Sequence, residues 1–537
     1  MISATEEWKA LAAHVAGLKS VHLRELLEDE ARNAGMVKEA GGVVLDFSRQ
    51  RMSAETLPLL VNLAKKAEVE KKRDAMFGGV KINETEGRAV YHVALRAPKG
   101  QVMAVDGVDQ SVLIHGVLDK IESFSAKVRS GEWTGATGKA MTSVLAVGIG
   151  GSYLGPEFAY EAFKTAPELA EIKKLDLKFL ANVDPVDFKR QTMALNAETT
   201  LVVVVSKSFT TAETMANAKV VKSWLCEEIP GDDAAIVAKH VVAVSTQMEL
   251  TSKFGIDPDN VFAFGDYVGG RFSVHSPVGM LPLALAYGMA PCRQFLAGAH
   301  AMDEHFKEAP LSENLPVLLG LVGLYNSSFL GLNCKALLPY AQALVRFPAH
   351  VQQLDCESNG KSVSLSGDTL DFETGEIVFG EPGTNGQHSF YQLLHQGRIV
   401  PCEFIGFANS QADVTLGNVS NHDELMANFF AQPDALAVGK TDDNPHKVFS
   451  GNRPSLSLLL PRVSPFTMGQ LLALYEHRVA VQGFVWGINS FDQEGVQLGK
   501  ALAKQVLKVL ETKDTASAAF NSSTTSLLDK YFALKDD

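Results

Sequence analysis

A segment rich in hydroxyl side chains follows a short apolar run, and this many hydroxyls could bind a phosphate group. Residues 201–205 are all Leu or Val, a run too short for a helix and typical of a buried strand. Residues 206–214 (SKSFTTAET), here called the hydroxyl turn, then supply five hydroxyls and a Lys. A helix that starts here would add free backbone N–H groups and a positive dipole end. The candidate phosphate ligands are Ser206, Lys207, Ser208 and Thr211.

An ordinary helix cap is the alternative interpretation of the hydroxyl turn, because Ser and Thr are favoured at caps in any case. A second turn of similar design favours the phosphate. Residues 150–156 (GGSYLGP), here called the glycine turn, follow another predicted strand at 143–149. Its glycines let backbone approach a ligand, and its Pro suits the first turn of a helix. The spacing matches neither common nucleotide motif, so a small phosphorylated ligand is predicted, with Gly151 and Ser152 among its contacts.

The elements that must position these turns alternate between strands and helices. This order predicts parallel, doubly wound α/β sheets, whose ligands bind beyond the carboxyl ends of the strands. Both turns lie at such ends. The predicted strands are 143–149, 177–182, 201–205, 241–246 and 261–264 in a first series, and 336–340, 401–408 and 455–460 in a second, which also includes a helix at 466–481.

Composition narrows the class of protein and its partners. The chain has 537 residues, of which 46% are hydrophobic and 21% charged, as expected for a soluble protein of two or more domains. A formal charge of -13 argues against nucleic-acid or anionic-membrane partners. The five Cys are odd in number and far apart, so a reducing cytoplasm is predicted and a disulfide framework is not.

Three further absences shape the expectations. The first ten residues lack the apolar core of a signal peptide. The longest uncharged apolar stretch, 317–334, is interrupted by Asn and Ser at 326–328, which favours a buried helix over a membrane span. No His/Glu cluster has metal-ligand spacing, so we expect chemistry without a metal or another cofactor.

Four blocks of sequence carry a resemblance to a known family. They occur in the family's order at 266–273 (DYVGGRFS), 352–361 (QQLDCESNGK), 380–388 (GEPGTNGQH) and 483–500 (GFVWGINSFDQEGVQLGK). The chain thus resembles the glucose-6-phosphate isomerase (phosphoglucose isomerase) family along nearly its whole length. The resemblance implies two sugar-isomerase (SIS-type) domains, each an α/β/α sandwich. It places them at 111–285 and 286–510, with a helical segment at 1–110 that packs on the second domain and a C-terminal arm at 511–537.

The activity implied by the resemblance is the reversible conversion of D-glucose 6-phosphate to D-fructose 6-phosphate. Moving a proton between adjacent carbons through an enediolate requires a base, a cation or donor near the developing oxyanion, and a group that opens the sugar ring. The resemblance assigns these roles to Glu357, Arg271 and His388, with His388 supplied across a homodimer interface. It adds Gln353, Gln493 and Lys500 near the sugar and its phosphate. Considered singly, such residues are more often solvated charges or structural ion pairs.

Four positions depart from the family's pattern, and three other functions compete with the isomerase. Ser208 stands where Thr is usual, His275 and Glu494 replace Trp residues, and Gln497 replaces a Glu close to Lys500. None of these removes an assigned role. The competing functions are a broader isomerase that also accepts mannose phosphate, a sugar-phosphate-binding regulator and an extracellular signal. The presence of a candidate base, cation and ring-opening residue favours the enzyme over the regulator.

Overall fold

The computed structural model of the chain describes residues 1–172, 174–515 and 520–535. These residues form two compact units, Met1–Ser490 and a smaller one that begins at Phe491. The smaller unit contains the helices Gln497–Thr512 and Ser522–Lys535. Both predicted sheets lie in the larger unit.

The first sheet is parallel throughout and carries both candidate phosphate turns. Every residue of Ser143–Val147 and Thr200–Val205 is buried, so both faces of the sheet are covered at its centre, as in doubly wound folds. On one face, Val202 and Val204 share a hydrophobic core with Val221 of the following helix. In their order of pairing the strands are Asp176–Leu180, Ser143–Val147, Thr200–Val205, Val241–Val244 and Val261–Phe262.

The second sheet is mixed, because an N-terminal hairpin adds two antiparallel strands to four parallel ones. The hairpin pairs with the strand Ser455–Arg462, and Leu45 lies opposite Leu458. Burial alternates along Val43–Asp46, the period of a half-buried strand. The resemblance implies a helical segment over 1–110, and the sequence pattern does not predict the hairpin within it. In their order of pairing the strands are Val37–Ala40, Val43–Asp46, Ser455–Arg462, Cys402–Asn409, Cys334–Pro339 and Ile377–Phe379.

Helices surround and connect the two sheets. Those up to the end of the first sheet's series are Glu6–Leu18, Leu23–Leu26, Glu30–Gly35, Thr56–Lys66, Val69–Phe77, Ser111–Ser130, Leu154–Phe163, Pro185–Thr192, Ala212–Glu228, Asp233–His240, Met248–Phe254 and Pro277–Tyr287. Those that follow in the larger unit are Met289–Glu308, Leu315–Leu324, Phe347–Asn359, Tyr391–Gln396, Asn421–Val438 and Pro465–Trp486. Short antiparallel pairs occur at Ala104–Val105 with Val108–Asp109 and at Thr415–Leu416 with Val419–Ser420.

The helix Pro465–Trp486 forms the centre of the larger unit, since all but one of its residues are buried. A capping box at Ser464 and Thr467 fixes its start. The apolar stretch at 317–334 begins inside the buried helix Leu315–Leu324, as predicted. In the part of the chain that the structure describes, no helix is long and apolar enough to cross a membrane.

The predicted fold class, an α/β protein with two sheets of SIS type, is confirmed. Each predicted strand is present, with ends that differ by a few residues. The short edge strand Ile377–Phe379 was not predicted. The boundaries of the four predicted segments remain predictions.

Candidate active site

The glycine turn and the hydroxyl turn lie at the carboxyl ends of neighbouring strands of the first sheet. Ser143–Val147 pairs directly with Thr200–Val205, so the segments that follow them emerge side by side. In the glycine turn, Gly150 has a φ of +59°, a left-handed conformation that favours glycine. A Cβ on Gly151 would overlap the backbone of Gly270. The glycine turn therefore approaches residues 266–273, here called the arginine loop, more closely than any side chain would allow.

The hydroxyls of the hydroxyl turn are not engaged in capping the helix Ala212–Glu228. Thr211 is its N-cap residue, yet its side chain makes no capping hydrogen bond. Instead Ser206 Oγ donates to Thr211 Oγ1 at 3.4 Å, and Thr210 Oγ1 donates to Ser208 Oγ at 2.8 Å. Phe209 between them has a φ of +51° and a buried ring. This arrangement leaves Ser208 and Thr210 exposed and argues against the simple cap.

Lys207 tethers the hydroxyl turn to the arginine loop. Its Nζ donates to the carbonyl oxygens of Asp266 at 2.8 Å and Val268 at 3.2 Å, which commits two of its three N–H donors. Burial lowers the pKa of the Lys207 ammonium, and the nearby charge of Arg88 lowers it further. The sequence predicts Lys207 as a phosphate ligand, and in the structure its ammonium also supports the arginine loop.

Arg271 is fully buried and points its guanidinium at the end of the helix Phe347–Asn359. Nη1 donates to Glu357 Oε1 at 2.9 Å, and Nε donates to Ser358 Oγ at 2.6 Å. Nη2 donates to the carbonyl oxygen of Ser490 at 2.5 Å. Three contacts on different nitrogens fix the plane of the guanidinium.

Glu357 has a partner on each carboxylate oxygen. Gln353 Nε2 donates to Oε2 at 2.8 Å, so the four-residue spacing places both side chains on one helix face, as predicted. The Glu357 side chain keeps 23% of its surface exposed, whereas that of Arg271 has none. A Cβ on Gly150 would lie 3.2 Å from Gln353 Nε2. The glycine turn, the arginine loop and the candidate base therefore form one continuous surface.

The other predicted site residues are His388, Gln493 and Lys500. His388 is exposed at the end of the 3₁₀ turn Asn385–His388. Within the described residues, no hydrogen bond or ion pair connects it to Arg271 or Glu357. Gln493 and Lys500 belong to the smaller unit, where Lys500 is exposed on the helix Gln497–Thr512. Gln497, one of the departures, is the first residue of that helix.

Ser358 and Ser490 were not singled out from the sequence, although both contact Arg271. Both lie inside the blocks that carry the family resemblance, and this was the available signal. His275, another departure, is buried and accepts a hydrogen bond from Arg96 on Nδ1 at 3.1 Å; burial holds its pKa well below the usual range. Across residues 1–172, 174–515 and 520–535, no group of three His, Cys, Asp or Glu side chains could hold a metal ion.

Comparison with known proteins identifies the family. A sequence model described as phosphoglucose isomerase matches residues 46–528. The chain belongs to the phosphoglucose isomerase family. It is 57% identical to a cytosolic glucose-6-phosphate isomerase of Arabidopsis thaliana, over 99% of this chain and 97% of that protein. It is 56% identical to a cytosolic glucose-6-phosphate isomerase of Oryza sativa subsp. japonica, over 100% and 97% of the two chains.

A solved structure supports the fold of this phosphoglucose isomerase family member. The crystal structure of a glucose-6-phosphate isomerase from Chlamydia trachomatis superposes with a TM-score of 0.88 at 35% identity, covering 99% of each chain. The family resemblance stated from the four sequence blocks is thereby confirmed.

Proposed function

We propose that this chain catalyses the reversible conversion of D-glucose 6-phosphate to D-fructose 6-phosphate in glycolysis and gluconeogenesis, the activity named for its relatives. The observation that carries the proposal is the Arg271–Glu357–Gln353 cluster beside two phosphate-suited turns, in a chain of this family. We place the enzyme in the cytosol, as the names of the relatives do.

The phosphate of the substrate binds at the hydroxyl turn. Ser206, Ser208 and Thr211 supply hydroxyl donors, and the start of the helix Ala212–Glu228 supplies backbone N–H groups and a positive dipole end. Lys207 contributes its charge while it supports the arginine loop. Gly151 and Ser152 contact the sugar phosphate from the neighbouring strand end. A phosphate anchored here leaves the carbon chain free to extend toward Glu357.

Glu357 is the base that moves the proton between the first two carbons. Hydrogen bonds from Arg271 and Gln353 orient its carboxylate, while each oxygen retains a lone pair for a proton. When the base removes the proton, negative charge develops on the substrate oxygen, and the buried Arg271 guanidinium stabilises this charge without losing its own proton. The same carboxylate then returns the proton to the adjacent carbon.

Ring opening requires a second acid–base group, and we assign it to His388. An imidazole suits proton exchange with a ring oxygen near neutral pH. Among the described residues no hydrogen bond or ion pair joins His388 to Glu357, and the family resemblance implies a shared site. We therefore propose a twofold homodimer in which His388 completes the partner's site. From the family resemblance we also assign Lys500 and Gln493 to the sugar and its phosphate.

The direct test is a coupled assay for glucose 6-phosphate formed from fructose 6-phosphate. We expect turnover by the purified chain, and we expect it to persist in the presence of a metal chelator. Mannose 6-phosphate formation measured in parallel separates a broader isomerase from a specific one. Tight binding of fructose 6-phosphate without turnover would instead support the sugar-phosphate-binding regulator and contradict the proposal.

A further inference from the structure

Ser490 contacts Arg271 through its backbone and is held in place by its side chain. Its carbonyl oxygen accepts a hydrogen bond from Arg271 Nη2, and its hydroxyl makes a second hydrogen bond. Ser490 Oγ donates to Asn359 Oδ1 at 2.6 Å. Ser490 and Asn359 are each 1% exposed, so water does not compete for these groups. A buried hydroxyl with a single well-placed acceptor has little freedom to reorient.

The acceptor, Asn359, is fixed from the other side by the helix Pro465–Trp486. Its Nδ2 donates to the carbonyl oxygen of Val479 at 3.1 Å and to Gln482 Oε1 at 3.3 Å. A carbonyl oxygen can only accept, which settles the orientation of the Asn359 amide. Oδ1 must therefore face Ser490, and the Ser490 hydroxyl must be the donor.

Gly483 shows how closely these groups are packed. A Cβ at this position would overlap Ser490 Oγ and lie 3.4 Å from Asn359 Oδ1. The helix Pro465–Trp486 can thus receive the Ser490 hydroxyl only because residue 483 has no side chain. This gives a physical reason for a glycine in the last turn of a buried helix, where glycine otherwise costs stability.

The contacts close a ring around the guanidinium. Arg271 donates to Glu357 and Ser358 at the end of one helix, and Asn359 is the next residue of that helix. Ser490 completes the ring, because it donates to Asn359 and accepts from Arg271. We propose that Asn359 and Ser490 are positioning residues that hold the Arg271 guanidinium where the enediolate charge develops, an inference that rests on the proposed function. They do not touch the substrate; they act through Arg271.

Ser490→Ala is the sharpest test, since it removes the hydroxyl and keeps the backbone carbonyl that Arg271 binds. Loss of a hydrogen bond worth about 1–1.5 kcal/mol should allow the guanidinium to shift and lower kcat about tenfold. KM should change by less than about twofold, because this contact matters only once charge develops. Gly483→Ala, which forces the hydroxyl away from its site, should give the same pattern.

Two inhibitors separate positioning from a general structural role. The carboxylate of 5-phospho-D-arabinonate mimics the enediolate, whereas D-glucitol 6-phosphate carries the phosphate without that charge. Ser490→Ala should weaken the arabinonate about tenfold and leave glucitol 6-phosphate affinity unchanged. The matched control is Ser327→Ala, which removes another buried hydroxyl that donates to a helix carbonyl, that of Gly323.

Each result assigns the failure to one claim. Provided that the wild type is active, equal weakening of both inhibitors by Ser490→Ala, or an unchanged kcat in this variant, would overturn the positioning role alone. A wild-type chain that binds both phosphates but never turns over would overturn the proposed function itself.

Discussion

Arg271 carries a permanent positive charge in a fully buried position, and its hydrogen-bond partners determine the orientation of the guanidinium. One N–H faces the carboxylate of Glu357, and the others named above face a hydroxyl and a carbonyl oxygen. Only the first of these partners carries charge. Glu357 and two neutral groups together orient the guanidinium. Under the proposed function, the substrate's developing charge would meet a cation that needs no rearrangement.

His350 gives a residue-scale prediction about acid stability. It is fully buried in the helix that carries Glu357, and within the described chain neither ring nitrogen has a hydrogen-bond partner. Burial lowers the pKa of His350 to about 4. The unfolded chain therefore takes up a proton that the folded chain does not. As a result, the contribution of His350 to the free energy of unfolding is complete above about pH 6.5 and decreases by about 3 kcal/mol in total as the pH falls toward 4.

The measurement is the unfolding temperature of wild type and His350→Leu between pH 7.5 and pH 4.5. We expect the variant to lose less stability on acidification than the wild type. His446→Leu, at an exposed position, controls for the loss of a histidine. Parallel curves for wild type and His350→Leu would contradict the assigned role of this side chain.

At the scale of elements, the hydroxyl turn should control binding more than chemistry. Ser206→Ala combined with Thr211→Ala removes two donors from a phosphate that is bound equally in the ground and transition states. With about 1.5–3 kcal/mol for each hydrogen bond to a charged group, KM should rise tenfold or more while kcat changes little. Steady-state kinetics measure both constants.

The matched control for the hydroxyl turn is Ser130→Ala with Thr192→Ala, whose hydroxyls donate to backbone carbonyls within their own helices. An unchanged KM in the turn variant would show that the segment after Val205 is only the start of a helix.

The helix that carries Glu357 is also anchored through a buried group of charges. Arg478 Nη1 donates to Asp355 at 2.6 and 2.7 Å, and Nη2 contacts Glu376. Arg478→Met would remove one of the two buried cations that pair with these carboxylates, the other being Lys335. Breaking a buried ion pair typically costs about 3–5 kcal/mol. We expect a clear fall in the urea midpoint. Lys9→Met, which breaks an exposed pair with Glu6, should leave it nearly unchanged, and an equal effect of the two substitutions would refute this account.

Local patterns made part of this architecture predictable. The run at 201–205 indicates a strand because it is continuous, β-branched and short, and the spacing of Gln353 and Glu357 places them on one helix face. Contacts between distant parts of the chain were not accessible in the same way. Arg271 and Ser490 are 219 residues apart, and the Lys207 tether depends on the path of the arginine loop. Such pairings follow from three-dimensional packing, and no periodicity of the sequence encodes them.

At the scale of the whole molecule, the proposed shared site predicts complementation between defective subunits. In a heterodimer of Glu357→Gln with His388→Ala, one site contains both substitutions and the other contains neither. After unfolding, random mixing and refolding, about half of the dimers are hetero and half of their sites are whole, so about a quarter of wild-type activity should return. Confirmed heterodimers with no gain over the separately refolded parents would exclude a shared His388.

The central claim is that Glu357 moves a proton between two carbons, and deuterium exchange tests it most directly. Glucose 6-phosphate is incubated with the enzyme in D₂O, and deuterium at carbon 2 of the recovered substrate is measured by NMR. The wild type should incorporate deuterium, and Glu357→Gln should do so about 100- to 10,000-fold more slowly while still binding 5-phospho-D-arabinonate. Isomerisation by the wild type without any deuterium at the reacting carbons, or equal incorporation by Glu357→Gln, would contradict the account.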